Sequence, residues 1–186
     1  RRFAHYDYWD DKVRRSILFD AQADLLVYGM GERATREIAR RLAAGEPVGA
    51  LTDVRGTAYA AAHPEVPFPA VDVPSFEDVA ASKRDYALAT KVEYEEHDPI
   101  RGRAIRQAHG DRVLVVNPPA MPLSREELDA VAELPYAREV HPMYEPLGGV
   151  AAIEEVRFSV THNRGCFGGC NFCSLAFHQG RMVTSR

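Results

Sequence analysis

The apolar positions change period along the chain, and each change marks an expected element. In HYDYWDDKVRRSILFDAQ, Val13, Ile17 and Leu18 fall at helical spacing, and Asp10 and Asp11 lie where a helix start favours negative charge, which predicts a helix from about Tyr8. ADLLVYG is a short apolar run closed by Gly29, the pattern of a buried parallel strand. GMGERATREIARRLAAGE predicts a turn and a helix, with Ile38 and Leu42 inward and Gly45 as its stop. Helix, strand, turn and helix in that order are an α/β unit, and a further strand is expected near Ala58. Pro64, Pro67, Pro69 and Pro74 then predict an extended connector and a boundary.

Beyond it, Ser75 offers a cap to a long helix whose face carries Phe76, Val79, Ala80, Tyr86, Ala87 and Tyr94, with Thr90 as a polar member. Pro99 interrupts the pattern, and a shorter helix is expected up to His109. DRVLVV reads as a strand stopped by Asn117-Pro118-Pro119. Ser124 and Glu127 form a capping-box pattern ahead of a short helix. YAREVHPMYEPLGGV reads as a surface loop, and a last strand is expected over about Val156 to Thr161.

Composition narrows the classes. The chain has 186 residues, is 46% hydrophobic and carries a net charge of −4, so it has enough apolar residue for a core and no global field favouring nucleic acid or an anionic membrane. Its longest apolar runs fall far short of the ~20 residues that cross a bilayer. Three cysteines, an odd number set close together, suit a reducing compartment and metal binding better than a disulfide framework, so a cytoplasmic location is expected.

All three cysteines, Cys166, Cys170 and Cys173, lie within NRGCFGGCNFCSLAFHQGR. A C-x3-C-x2-C run supplies three thiolates to one [4Fe-4S] cube and leaves one iron without a protein ligand. Gly165, Gly168 and Gly169 allow a tight wrap, with backbone N–H groups free to face cluster sulfur. Zinc is the competing metal: Cys170 and Cys173 form a C-x2-C pair, and Cys166 with His178 would complete a Cys3His site. That alternative describes a non-catalytic zinc-binding or structural module. Three unliganded thiols in a glycine-rich turn is the plainest reading.

The cysteine spacing after an expected strand resembles the radical S-adenosylmethionine (SAM) enzymes. RRFAHYDYWDDKVRRSI, ADLLVYGMGE, NPPAMPL, LPYAREVHPMYE and RGCFGGCNFCSLAFHQGR together resemble the YgiQ group of that superfamily along nearly the whole chain. The resemblance implies that Cys166, Cys170 and Cys173 ligate a [4Fe-4S] cluster and that SAM chelates the fourth iron. It implies reductive cleavage of SAM to a 5′-deoxyadenosyl radical, an electron donor of flavodoxin or ferredoxin type, and a substrate of unknown identity. Phe172 matches the position beside the SAM adenine. The implied architecture is α/β: residues 1–62 as the end of a Rossmann-like, cobalamin-binding-like domain, 63–150 as a mainly helical connector, and 151–186 as the first strand and cluster loop of a (β/α)6 partial barrel. Later barrel strands, which carry further SAM contacts, are expected to lie beyond Arg186, so the 186-residue chain is expected to be inactive alone.

Other candidates carry less. Gly29, Gly31 and Ala34 approximate a dinucleotide fingerprint, and Asp53 stands about 20 residues on, where its ribose-binding acid would be. A structural turn explains the same residues. Arg33, Arg36, Arg40 and Arg41 make a basic helix face, read as solvated because Glu32 and Glu37 interleave, so nucleic acid is an unlikely partner. Asn117-Pro118-Pro119 is a strand breaker or a pocket wall. His162 and His178 flank the cysteine loop, KVEYEEHD reads as an exposed helix end, and His5, His63, His97, His109 and His141 are scattered and mark no site.

Overall fold

A computed structural model describes residues 2–170 and 172–186. The chain opens with a hairpin of β1 (His5–Asp7) and β2 (Lys12–Arg14), followed by α1 (Ile17–Asp20). Then come β3 (Leu26–Val27), α2 (Glu32–Ala43), a 3-10 turn at Val48–Ala50, and β4 (Thr57–Ala61). β5 (Ala70–Val73), α3 (Phe76–Ala81), α4 (Lys83–Glu95), β6 (Ala104–His109) and β7 (Arg112–Val116) follow. The remainder holds α5 (Arg125–Ala132), a 3-10 segment at Pro142–Leu147, α6 (Ile153–Val156), β8 (Asn163–Arg164), α7 (Leu175–Gln179) and β9 (Thr184–Ser185).

One five-stranded sheet, ordered β3-β4-β7-β6-β5, is the frame among the described residues. Only β5 and β6 run parallel in it, joined by a crossover through α3 and α4. Successive residues of a strand face opposite sides. Leu114, Val115 and Val116 of the central β7 are all buried, so both faces of the sheet are covered there. Val79 of α3 and Ala89 of α4 join Ala58, Val73, Ile105, Leu114 and Val116 in the main core, with Phe3, Ala4 and Phe19 from the N-terminal segment. A smaller cluster of Ala34, Leu51 and Val54 seats α2.

Several expectations are overturned. The predicted first helix is the β1–β2 hairpin, its turn carrying Asp11 at φ 47°, with helix only at Ile17–Asp20. ADLLVYG yields a two-residue edge strand paired antiparallel with β4, not a buried parallel strand. Residues 1–62 and 63–150 both feed one mixed sheet, and 63–150 contributes β5, β6 and β7 where one strand was expected. The long helix after Ser75 is two: Ser82, in extended conformation, ends α3, and its side chain caps α4 by accepting the Asp85 N–H. The strand expected at Val156–Thr161 does not form, since α6 ends at Val156.

The helix expected before His109 is β6, and its buried polar residues hid the alternation. Gln107 accepts the Ala4 N–H (2.9 Å) and donates to Pro74 O (3.1 Å). The His109 ring stacks between Phe19 (4.6 Å) and Phe76 (5.4 Å) and accepts the Ser16 N–H through Nε2. Gly110, at φ 63°, turns the chain directly into β7. Other readings hold: α2 and β4 form where expected, and Ser124 with Glu127 makes the capping box of α5, but Leu42, expected inward, is exposed.

Asn117, at the end of β7, ties this frame together. Its Nδ2 donates to Thr52 O (2.8 Å), Val54 O (3.0 Å) and Thr57 Oγ1 (3.2 Å). Replacing it with Ala leaves Thr52 O without this donor, while Val54 O keeps the Thr57 hydroxyl, which should cost roughly 1–3 kcal/mol, read as a lower urea midpoint at unchanged slope. A second outcome follows from His109, whose pKa burial pushes below the ordinary value. The unfolded chain then binds its proton more readily than the folded one, so its contribution is complete above the unfolded pKa of about 6.5 and is lost as pH falls toward the folded value. The stability advantage of wild type over His109→Phe should therefore shrink between pH 7 and pH 5 in urea titrations.

Candidate functional site

The cysteine loop is closed at its base. β8 and β9 pair antiparallel, Asn163 opposite Ser185 and Arg164 opposite Thr184, and the Arg186 N–H donates to His162 O (2.9 Å). Gly165 has φ 90°, and a Cβ there would overlap the Met182 carbonyl, so the close approach of the two loop ends requires glycine. The Gly165 N–H donates to Gln179 Oε1 (3.1 Å) and the Cys166 N–H to Gly180 O (3.0 Å).

Inside this closure lie three free thiols. Cys166 and Cys173 are half-buried and Cys170 is exposed. Gly168 is close to two of them: a Cβ on it would lie 3.3 Å from Cys166 Sγ and 3.7 Å from Cys170 Sγ. Its N–H donates to Cys166 Sγ (3.4 Å), and the Leu175 N–H donates to Cys173 Sγ (3.5 Å). Cys173 N–H donates to Cys170 O (3.2 Å), closing a turn between those ligand candidates. Backbone donors aimed at sulfur, on thiols free of disulfides, are the environment that thiolate ligation favours. Among the described residues no three His, Cys, Asp or Glu side chains gather into a metal-binding group, and His178 is not brought to the thiols as a fourth ligand. His178 instead lines a cavity of about 30 Å3 with Tyr28, Gly29, His97, Pro119 and Met182. Phe172 is 93% exposed, and His162 is exposed.

The loop rests on the sheet module at several points. Arg164 pairs with Glu32, the first residue of α2, and Arg186 with Asp129 of α5 (2.7 Å). The Phe177 ring packs on Tyr94 (5.6 Å) and His97 (5.4 Å), at the end of α4 and just beyond. The Arg181 guanidinium lies over Tyr94 at 4.3 Å. Behind these rings is a polar cluster that periodicity concealed, because KVEYEEHD reads as exposed while His97 is buried and Glu93 half-buried. Burial lowers the His97 pKa to about 4, aided by the charges of Arg2 and Arg181 and opposed by the backbone of Ala176 and Phe177. Burial raises the Glu93 carboxyl to about 8 against the pull of Arg2, and the Tyr28 phenol to about 12. The i, i+4 spacing of Glu93 and His97 was the available signal.

The remaining candidates serve structure. Gly31 caps α2 with its backbone, and a Cβ there would crowd Val27. Asp53 pairs with Arg41 (2.6 Å), which also binds Glu37 and Glu46, and Arg33 pairs with Glu127. Pro118 O accepts the Gly56 N–H (2.8 Å), so the Asn-Pro-Pro segment is a staple, with Pro119 also in the cavity wall. No helix among the described residues is long and apolar enough to cross a membrane.

Comparison with known proteins gives the family. The family model for the radical SAM N-terminal domain matches residues 1–159, stopping just short of the cysteine loop. A UPF0313 protein of Clostridium botulinum (strain 657 / Type Ba4) is 52% identical over 186 residues, which is the whole of this chain and 29% of that protein. A UPF0313 protein of Clostridium perfringens (strain SM101 / Type A) is 54% identical over 187 residues, again the whole chain and 28% of the relative. The chain thus spans under a third of the length of these relatives, and no solved structure matches it. With most of its length matched by the family model and all of it aligned to these relatives, the chain belongs to the radical SAM N-terminal family, within the YgiQ-like UPF0313 group.

Proposed function

We propose that residues 163–185 are the cluster loop of a radical SAM enzyme, and that Cys166, Cys170 and Cys173 hold a [4Fe-4S] cluster with SAM on the fourth iron. The observation that carries this reading is Gly168, where a Cβ would touch both the Cys166 and Cys170 sulfurs and whose N–H donates to the first of them. The donor set suits the group: three disulfide-free thiols, two of them receiving backbone N–H bonds that stabilise a thiolate. With cluster and SAM bound, the chemistry supplied is one-electron cleavage of SAM to methionine and a 5′-deoxyadenosyl radical that takes hydrogen from a substrate.

The chain's own residues do the positioning. Pairing of β8 with β9 and the Gly165 turn fix where the thiol-bearing segment leaves and rejoins the module. Phe172 stands exposed beside the third thiol, available to an adenine ring. We read residues 151–186 as the entry to the catalytic barrel, and the mixed α/β sheet before them as the platform that carries it. A flavodoxin- or ferredoxin-like donor and a cytoplasmic location belong to the same proposal.

Anaerobic reconstitution tests it. The chain should turn brown, absorb near ~400 nm and bind iron and sulfide in a ratio of about one. Cys166→Ala, Cys170→Ala and Cys173→Ala should each lose most of that iron, while His178→Ala keeps it. A colourless protein holding one zinc that His178→Ala releases would instead establish the Cys3His module.

A further inference from the structure

The helix that follows the last cysteine is too short to hold itself. α7 has five residues, and isolated helices of that length do not persist in water. Its N-terminal serine makes no side-chain capping bond. Something outside α7 must therefore fix it, and the contacts identify what does. Phe177 is half-buried between Tyr94 and His97, with ring centroids 5.6 Å and 5.4 Å away. His97 is buried, and its ring lies 6.5 Å from that of Tyr28, which is tied to the end of β7 by its hydroxyl on Asn117 O (2.6 Å). Arg181, just beyond α7, lies over the Tyr94 ring at 4.3 Å. Tilted ring pairs of this kind are attractive beyond the area they bury.

The position of α7 is passed directly to a thiol. Leu175, its first residue, donates its N–H to Cys173 Sγ, and Phe177 N–H returns to Ser174 O (3.0 Å), so the segment from Cys173 to Phe177 is one hydrogen-bonded unit. We propose that Phe177 is a positioning residue for Cys173, seated by Tyr94 and His97, so that the N-terminal sheet module sets the geometry of the third cluster ligand. This rests on the cluster reading for its purpose, yet the seat is a property of the chain without metal. Cys170 is the internal control: its side chain is already exposed, and it meets this unit only through its backbone carbonyl, which accepts the Cys173 N–H. The seat thus reaches the sulfur of Cys173 directly, while at the other end of α7 Gln179 and Gly180 hold only the backbone of Gly165 and Cys166.

Thiol alkylation of the full chain, iron-free and reduced, measures this directly. Rates at each cysteine are read by mass spectrometry after timed exposure to iodoacetamide. Phe177→Ala should speed alkylation of Cys173 several-fold, because opening α7 exposes its half-buried sulfur by more than the loss of the Leu175 donor, which stabilises the thiolate, holds the rate back, while Cys170 stays within about twofold. Phe177→Tyr, which keeps a ring in the seat, should restore the wild-type rate. Tyr94→Ala, at a partly exposed position on the opposite side of the contact, should act in the same direction, so the outcome does not hang on one variant's folding. In the reconstituted chain, Phe177→Ala should lose iron to excess chelator several-fold faster than wild type. An unchanged Cys173 rate in both alanine variants overturns the proposal. A wild-type chain that takes up no iron overturns the cluster reading instead, and the alkylation rates still decide the seat.

Discussion

The amide of Asn117 is the point on which the rest depends. β7 is the central strand of the sheet and is buried on both faces, so its end cannot be finished by water. The Asn117 side chain solves this by donating to two carbonyls and a hydroxyl in the 52–57 turn, and that turn leads straight into β4, the neighbour of β7. Its backbone carbonyl takes the Tyr28 hydroxyl. One residue therefore joins the sheet centre, the connection from α2 to β4, and the end of β3. The Oδ1 atom of the same side chain finds no partner, a cost accepted within an otherwise satisfied network.

That knot fixes Tyr28, and Tyr28 backs the surface on which the cysteine loop sits. The cavity wall of Tyr28, Gly29, His97 and Pro119 faces His178 and Met182 from the loop. The polar groups behind it are neutral forms held by burial: His97 below its ordinary pKa, Glu93 above it. A charge there would be poorly solvated; Arg2 adds to that penalty for His97 and works against it for Glu93, where burial is the larger effect. The seat for α7 is thus a desolvated floor with aromatic walls, a rigid surface rather than a patch of solvated charge.

How much of this could be read in advance depended on what filled the buried positions. Where they are apolar and periodic, as in α2 or in Leu114-Val115-Val116, the elements were legible. Caps were legible too, because Ser124 and Glu127 act within one turn. β6 was not, since Gln107 and His109 are buried but polar, and their partners, Ala4, Pro74 and Ser16, are far away in sequence. The β1–β2 hairpin failed for a related reason: Val13, Ile17 and Leu18 match a helical stripe, but Asp11 turns the chain and tertiary contacts override the local pattern. At the site, the spacing of the three cysteines was fully visible. Phe177, Tyr94 and His97 were not, because a contact across 80 residues leaves no local trace.

The same contrast explains the division of labour in the loop. Its base is fixed by backbone pairing, by Gly165 packed against Met182, and by the ion pair of Arg164 with Glu32. Its far side, α7, is fixed by rings. Between them, Phe167 and Phe172 are 87% and 93% exposed. Two large aromatic side chains left in water beside three thiols are unfavourable unless another surface covers them. A base and a flank held rigidly by the sheet module, with an apolar tip turned outward, is an arrangement suited to placing ligands against a second structure. The stability of the module is therefore what the tip draws on, and the aromatic seat is where the two are connected.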